Sequence, residues 1–392
     1  MNRRFLRDFL ALSLLFGTII ACAYSFLARI GEIDIDGVIE RQLAQKDRIL
    51  FASGLSNDMF DYKSLMHARI QPAVVVAGSS RAMEVRAAFF DKPMFNWGGT
   101  VSSLAKLEAV TGEILRQRRL PQYVLVFVDI WWMNARLIGP DTTYARTPYP
   151  AFPDALTIMK TFGIVSRDYS RVMSAALAGN SDRLGLYAMM KDDGFAADGS
   201  WYYSGMVSRR SAGNEQDIGQ QLRTVDTAAA AREKFSFLAE HDGDEALQQR
   251  LIAIVGALRS KSITPIVVLP PLDKPVRDYL AGVSRPDRFK SMAARFERAG
   301  IEFHDFTDAS ALQPDTINKA CEFLDDFHGG DVLNARIFSK IWATTGDAGL
   351  KASLNRTFLD GFTRDKAGFA EGDDRYRRGK PEVNFRGIPC HA

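Results

Sequence analysis

The sequence predicts an α/β protein, a three-layer α/β/α sandwich around a parallel sheet, with one transmembrane helix in front and an insertion in mid-chain. Three observations carry that reading: an uncharged run from Phe9 to Ala28, a series of short, almost wholly apolar runs, and amphipathic stretches between them. Strands that are apolar along their whole length belong to parallel sheets covered on both faces. Their alternation with helical segments gives a doubly wound topology.

The runs, in chain order, are Ala73–Ala77 (AVVVA), a shorter one at Met94–Asn96, Tyr123–Val128 (YVLVFV), Pro265–Leu269 (PIVVL) and Ile301–Phe306 (IEFHDF). Each is of strand length and bounded by turn residues. Between them, Leu104, Leu107, Val110, Ile114 and Leu115 repeat at helical spacing, as do Leu247, Leu251, Ile254, Val255 and Leu258.

The N-terminal run of 20 residues matches a hydrocarbon core of about 30 Å when helical. Arg3, Arg4 and Arg7 precede it and Glu32, Asp34 and Asp36 follow, so the positive-inside rule keeps the N-terminus in the cytoplasm. Residues 1–31 are thus expected to be a single-pass inner-membrane anchor, with everything beyond it periplasmic. Ala21-Cys22-Ala23 resembles a cleavage site and Ile19-Ile20-Ala21-Cys22 a lipoprotein box. Apolar residues continue to Leu27, which favours an uncleaved anchor.

Residues 32–71 read as a polar helical stalk, and 72–346 as the α/β domain. Residues 139–244 break the alternation and read as an insertion over the C-terminal edge of the sheet, where open α/β sheets bind ligands. Tyr144, Tyr149, Trp201, Tyr202 and Tyr203 lie in it, either to stack on sugars or to fill a local core. Residues 347–392 are charged and Gly-rich near Gly372–Gly379 and read as a polar, loose tail.

Composition narrows the function. With 46% apolar and 25% charged residues the chain is an ordinary globular one. A balance of 50 Lys+Arg against 47 Asp+Glu, without a long basic cluster, argues against nucleic acid as a partner. Cys22, Cys321 and Cys390 lack metal or CxxC spacing, and no cofactor or metal is expected.

Three segments carry chemistry. The first strand runs into Gly78-Ser79-Ser80-Arg81, placing Ser80 at the strand's C-terminal end and the start of a helical turn, where backbone N–H groups can meet a developing anion. An ordinary Ser-Ser helix cap has the same appearance. Asn96-Trp97-Gly98-Gly99-Thr100 follows the second strand, with paired glycines that let backbone approach a ligand. Leu324-Asp325-Asp326-Phe327-His328-Gly329-Gly330 follows the last strand, and Asp325 is spaced to orient the His328 ring towards a serine. The other histidines read differently: His67 and His241 in polar helical text, His304 in a strand, His391 in the tail.

Together these blocks resemble the SGNH (GDSL-like) hydrolase superfamily over roughly Val74–Ile341, the insertion excepted. The resemblance implies a flavodoxin-like sheet, Ser80 as nucleophile, His328 as base and Asp325 as acid. It also implies an oxyanion hole from the amides of Ser80 and of Gly98 or Gly99. The family's Gly-Asp-Ser stands here as Gly78-Ser79-Ser80. Its Gly-x-Asn block has no counterpart in Asp129-Ile130-Trp131-Trp132-Met133-Asn134, where Asn134 is the candidate for the missing amide. Gly78-x-Ser80-x-Ala82 also approximates the nucleophile elbow of α/β-hydrolases, but those folds place strands before the elbow and separate acid from histidine.

An anchored SGNH domain with Gly-Ser-Ser-Arg is similar to the envelope-polymer branch, the proteins of alginate O-acetylation and of D-alanyl transfer to teichoic acid. That similarity implies a serine acyltransferase or esterase acting on an acylated polysaccharide or a small acyl ester, beside a multispanning membrane O-acyltransferase. Arg81, Trp131 and Trp132 are the candidate substrate-binding side chains, the two indoles serving alternatively as wedges for the insertion. The competing function is a non-catalytic glycan-binding or assembly subunit of the same fold.

Overall fold

A computed structural model describes residues 3–45, 48–56, 58–134, 144–149, 154–166, 169–178, 182–205, 245–283, 288–312, 322–323 and 327–365. The chain divides into two compact units: residues 1–65 with 147–197, and residues 66–146 with 198–392.

The first unit contains the apolar helix α1 (Arg3–Arg29), the one described helix long and apolar enough to cross a membrane. Its side chains are exposed from Arg3 to Cys22, whereas Ala23, Leu27 and Ile30 are buried. They pack against α2 (Ala155–Val165) and α3 (Tyr169–Ala178) through Ile158, Val165, Val172 and Ala176. A small sheet completes the unit: Leu50–Phe51 pairs in parallel with Arg183–Leu184 and antiparallel with Gly194–Phe195.

Residues 32–71 therefore do not form a free-standing stalk, and the expected insertion is split, its Thr147–Ala197 part joining the N-terminal unit. Several of the polar residues that suggested a stalk are buried and bonded. Gln42 Nε2 donates to the Ile49 and Phe195 carbonyls at 2.9 Å each, and Tyr62 Oη donates to Gln42 Oε1 at 2.8 Å. Glu32, at the exit of α1, accepts from Ser53 Oγ (2.5 Å), Leu55 N (2.9 Å) and Leu186 N (2.6 Å). Burial pushes its carboxyl above the usual range despite these bonds. A buried polar group needs such partners, and here most of them lie far away in sequence.

The second unit is built on five parallel strands: β1 (Val74–Gly78), β2 (Met94–Gly98), β3 (Tyr123–Phe127), β4 (Thr264–Leu269) and β5 (Glu302–Asp305), in the order β2-β1-β3-β4-β5. Every residue of β1, β2 and β3 is buried, and β5 is the half-exposed edge. Val74, Val76, Leu125, Phe127, Ile266 and Val268 point to one face, where Ile337, Phe338 and Ile341 of α4 (Asp331–Thr344) meet them. Strand order reverses between β1 and β3. A reversal of this kind opens a crevice at the carboxyl ends of the strands.

The chain beyond residue 347 is not a loose tail throughout. Helices Ala348–Ser353 and Arg356–Asp365 add Leu350 and Leu359 to the core, Leu354 between them joins it, and Tyr123 Oη donates to Asp347 Oδ1 at 2.9 Å. Residues 366–392 lie outside the described residues.

Candidate active site

The crevice between β1 and β3 is where the first chemical segment falls. Gly78 ends β1 and Ser79 caps a single 3-10 turn, Ser80–Ala82, its hydroxyl accepting from Arg81 N at 3.2 Å. Ser80 is half-buried at the head of the turn, where its own N–H has no acceptor within the turn. His328 arrives from the other end of the sequence. Its loop is fixed by a bridge between Phe323 and Gly329, by Gly330 N donating to the Glu322 carbonyl (2.9 Å), and by Asn334 Nδ2 donating to the Gly330 carbonyl (3.0 Å).

Ser80 Oγ and His328 Nε2 are 2.7 Å apart. For the serine O–H to donate, Nε2 must carry the lone pair and Nδ1 the proton, which is the tautomer a general base needs. Asp325, expected on Nδ1, lies outside the described residues, as do His241 and His391.

Five other expected site residues take different places. Arg81 does not face a substrate: its side chain is 2% exposed and the guanidinium is committed inside the protein. Nη1 donates to Asp129 Oδ1 (3.1 Å), Nε to the Phe327 carbonyl (3.0 Å), and Nη2 to the carbonyls of Pro270 (2.9 Å) and Pro271 (2.5 Å). One planar fork thus joins the segments after β1, β3 and β4 to the residue preceding His328, a geometry that suits Arg and not Lys.

Gly98 and Gly99 do not offer their amides to a ligand. Gly98 N donates to Asn96 Oδ1 at 2.5 Å, and Gly99 N to the carbonyls of Gly78 (3.1 Å) and Ser79 (2.9 Å). Their glycine identity has a packing cause. A Cβ on Gly98 would sit 2.8 Å from Met83 N and 2.9 Å from Ala82 C, and Gly99 has φ +85°. Trp132 is wholly buried and belongs to the core, so it offers no sugar platform. Asn134 is buried too, its backbone N–H donating to the Trp131 carbonyl at 3.1 Å.

Trp131 remains at the site's edge, half-buried, edge-on to Phe327 with ring centroids 5.6 Å apart and with the Arg81 guanidinium 5.5 Å from its ring. Of the aromatics between 139 and 244, Tyr149 donates its hydroxyl to the Glu32 carbonyl (2.7 Å) and Tyr202 stacks beneath Arg86 at 3.8 Å. Both serve local cores.

Two residues with a part in shaping the site escaped the sequence reading. Asn96, fully buried inside β2, donates to the carbonyls of Ala82 (2.8 Å) and Val85 (2.9 Å), and so fixes the turn that follows Ser80. Asp129 is buried at the end of β3. Desolvation holds its carboxyl above the usual range, although the Arg81 guanidinium draws it down in part. The available signal was a single polar residue interrupting or ending an apolar strand. Among the described residues no cluster of three His, Cys, Asp or Glu is placed to hold a metal.

Compared with known proteins, the chain matches no protein-family model and no curated protein sequence.

Proposed function

We propose that the chain is a membrane-anchored serine acyltransferase or esterase of the SGNH type, its second unit a three-layer, flavodoxin-like sandwich. The 2.7 Å contact between Ser80 Oγ and His328 Nε2 at the topological switch point is the observation that carries this reading. A serine hydroxyl is a poor nucleophile until a base takes its proton. In the proposed reaction His328 Nε2 accepts the proton as Oγ attacks the ester carbonyl, and the Ser80 amide donates to the oxyanion. Collapse of the tetrahedral species expels the alcohol, which takes the proton from the imidazolium. A sugar hydroxyl or water, losing its proton to His328, then attacks the acyl-serine, the acyl–Oγ bond breaks and Ser80 Oγ takes the proton back from the imidazolium, which Asp325 stabilises.

The substrate class follows from the resemblance and the anchor together: an O-acylated envelope or exported polysaccharide, or a small acyl ester, met on the periplasmic side of the inner membrane. A multispanning membrane O-acyltransferase is the partner that would supply or receive the acyl group.

A second reading has its own observation. With the Gly98 and Gly99 amides bonded internally, the Ser80 amide is what is left, among the described residues, of the three backbone donors expected for the oxyanion. Loss of one donor costs on the order of 10²–10³ in turnover, so a glycan-holding subunit without chemistry is the alternative.

Release of an acyl group from an activated ester by the full-length protein in detergent separates the two. Ser80→Ala and His328→Ala should each abolish release, because nucleophile and base act as a unit. Asp325→Asn should lower it less than either. Activity unchanged in Ser80→Ala would end the serine mechanism, and no activity with glycan binding retained would favour the holding subunit.

A further inference from the structure

The helical pair α2–α3 presents a face that the proposed reaction does not use. In α2 the stripe Ile158, Thr161, Val165 is buried, and Ile158 and Val165 join the cluster around α1. The opposite stripe, where a water-facing helix carries polar residues, is Leu156, Met159 and Phe162. With Tyr169 and Leu177 of α3 these side chains are between 48% and 72% exposed. Thr157 and Lys160 interrupt the sequence of α2, and Ser170, Arg171 and Ser174 that of α3, yet five exposed large apolar side chains on two short helices mark a surface that meets either protein or lipid.

The length of α1 says which. Arg7 and Asp8, ion-paired at 3.1 Å, mark the charged inner limit, and the bare apolar segment from Phe9 ends at Cys22. Those 14 residues span about 21 Å, short of the roughly 30 Å of a hydrocarbon core. The missing length is supplied by Ala23–Ala28, the part of α1 against which α2 and α3 pack. Arg29 Nε, donating to the Ala176 carbonyl at 2.8 Å, pins α3 at that level. Tilting α1 would lengthen the helix needed to span the core, and so would place this packing deeper.

We infer that α2 and α3 are seated in the outer leaflet of the bilayer, their Leu156, Met159, Phe162, Tyr169 and Leu177 face in contact with acyl chains beside the anchor. The depth required, about 9 Å, is that of interfacial helices, and an aromatic such as Tyr169 suits the headgroup boundary. This inference rests on α1 spanning the membrane and is independent of the chemistry of Ser80.

The test uses the full-length chain with Cys22, Cys321 and Cys390 changed to Ser and one cysteine restored at Met159, Leu177, Leu14 or Gln249. Each variant is labelled with an environment-sensitive fluorophore and reconstituted into phosphatidylcholine–phosphatidylglycerol vesicles. Nitroxide lipids carrying the quencher near the headgroup or at the acyl-chain end then report depth. At positions 159 and 177, quenching several-fold stronger by the shallow nitroxide than at Gln249 is expected, with Leu14 favouring the deep one. Quenching at Leu14 with Met159 and Leu177 like Gln249 overturns the seating and leaves the anchor standing. No quenching at Leu14 removes the anchor, and the inference with it.

Discussion

Arg81 shows how much a single side chain in this protein is asked to hold. Its guanidinium neutralises buried Asp129 and fastens the carbonyl of Phe327, one residue before the base. Removing one partner of a buried pair leaves the other charged and unsolvated, a loss of about 3–5 kcal/mol. Arg81→Met should lower the unfolding midpoint accordingly, and Arg81→Met/Asp129→Leu should recover part of the loss. If the double variant is no better than the single, the pair is not what stabilises this corner. His67 makes a second residue-scale prediction. It is fully buried, Trp97 Nε1 donates to its Nδ1 at 2.9 Å, and desolvation pushes its pKa from 6.5 down to about 4. The unfolded chain then binds a proton that the folded one refuses. Stability is therefore complete above pH 6.5 and falls as pH drops towards about 4, a total of about 3 kcal/mol. Denaturation at pH 7.5 and at pH 4.5 should differ in that direction, and His67→Phe should remove most of the slope. The sequence placed His67 in polar helical text because its helix also carries Asp61, Lys63, Ser64 and Arg69. Its burial comes from Phe95 and Trp97, which β2 brings against it.

At the scale of elements, strands were legible where burial writes itself into composition. VVVAG, YVLVF and TPIVVL occur within a residue or two of where they were expected, because a strand covered on both faces has no room for polar residues. The loops at their ends were legible only in part. Paired glycines after β2 suggested amides aimed at a ligand, whereas Gly98 is needed so that β2 can approach the turn carrying Ser80. Composition does not distinguish a glycine that serves a ligand from one that serves a neighbouring backbone. Gly98→Ala must push against the backbone of Ala82 and Met83, so it should slow Ser80 chemistry more than it lowers the melting temperature. A variant that labels and melts like the parent would show that the turn tolerates the shift. The C-terminal helices were missed because their short apolar contribution is diluted by charge. Leu359→Ala should nonetheless cost about 2–5 kcal/mol, as for other buried leucines, and urea titration measures it.

For the whole molecule, the sequence disclosed an apolar N-terminal helix and an α/β sheet with Ser80 at a strand end, and concealed the partition into two units. That partition depends on Thr147–Ala197 returning to pack with residues before 66, a long-range pairing that leaves no periodic mark. Within the second unit, the fold brings Ser80 and His328, 248 residues apart, to 2.7 Å. The proposed chemistry requires that contact to be an activated dyad. Intact mass measurement of the full-length protein after exposure to a fluorophosphonate tests it most directly. One adduct per chain, mapped to Ser80, lost in Ser80→Ala and strongly slowed in His328→Ala, is the expected result. Absence of any adduct under conditions that label a control serine hydrolase, or labelling that persists in Ser80→Ala, would contradict it.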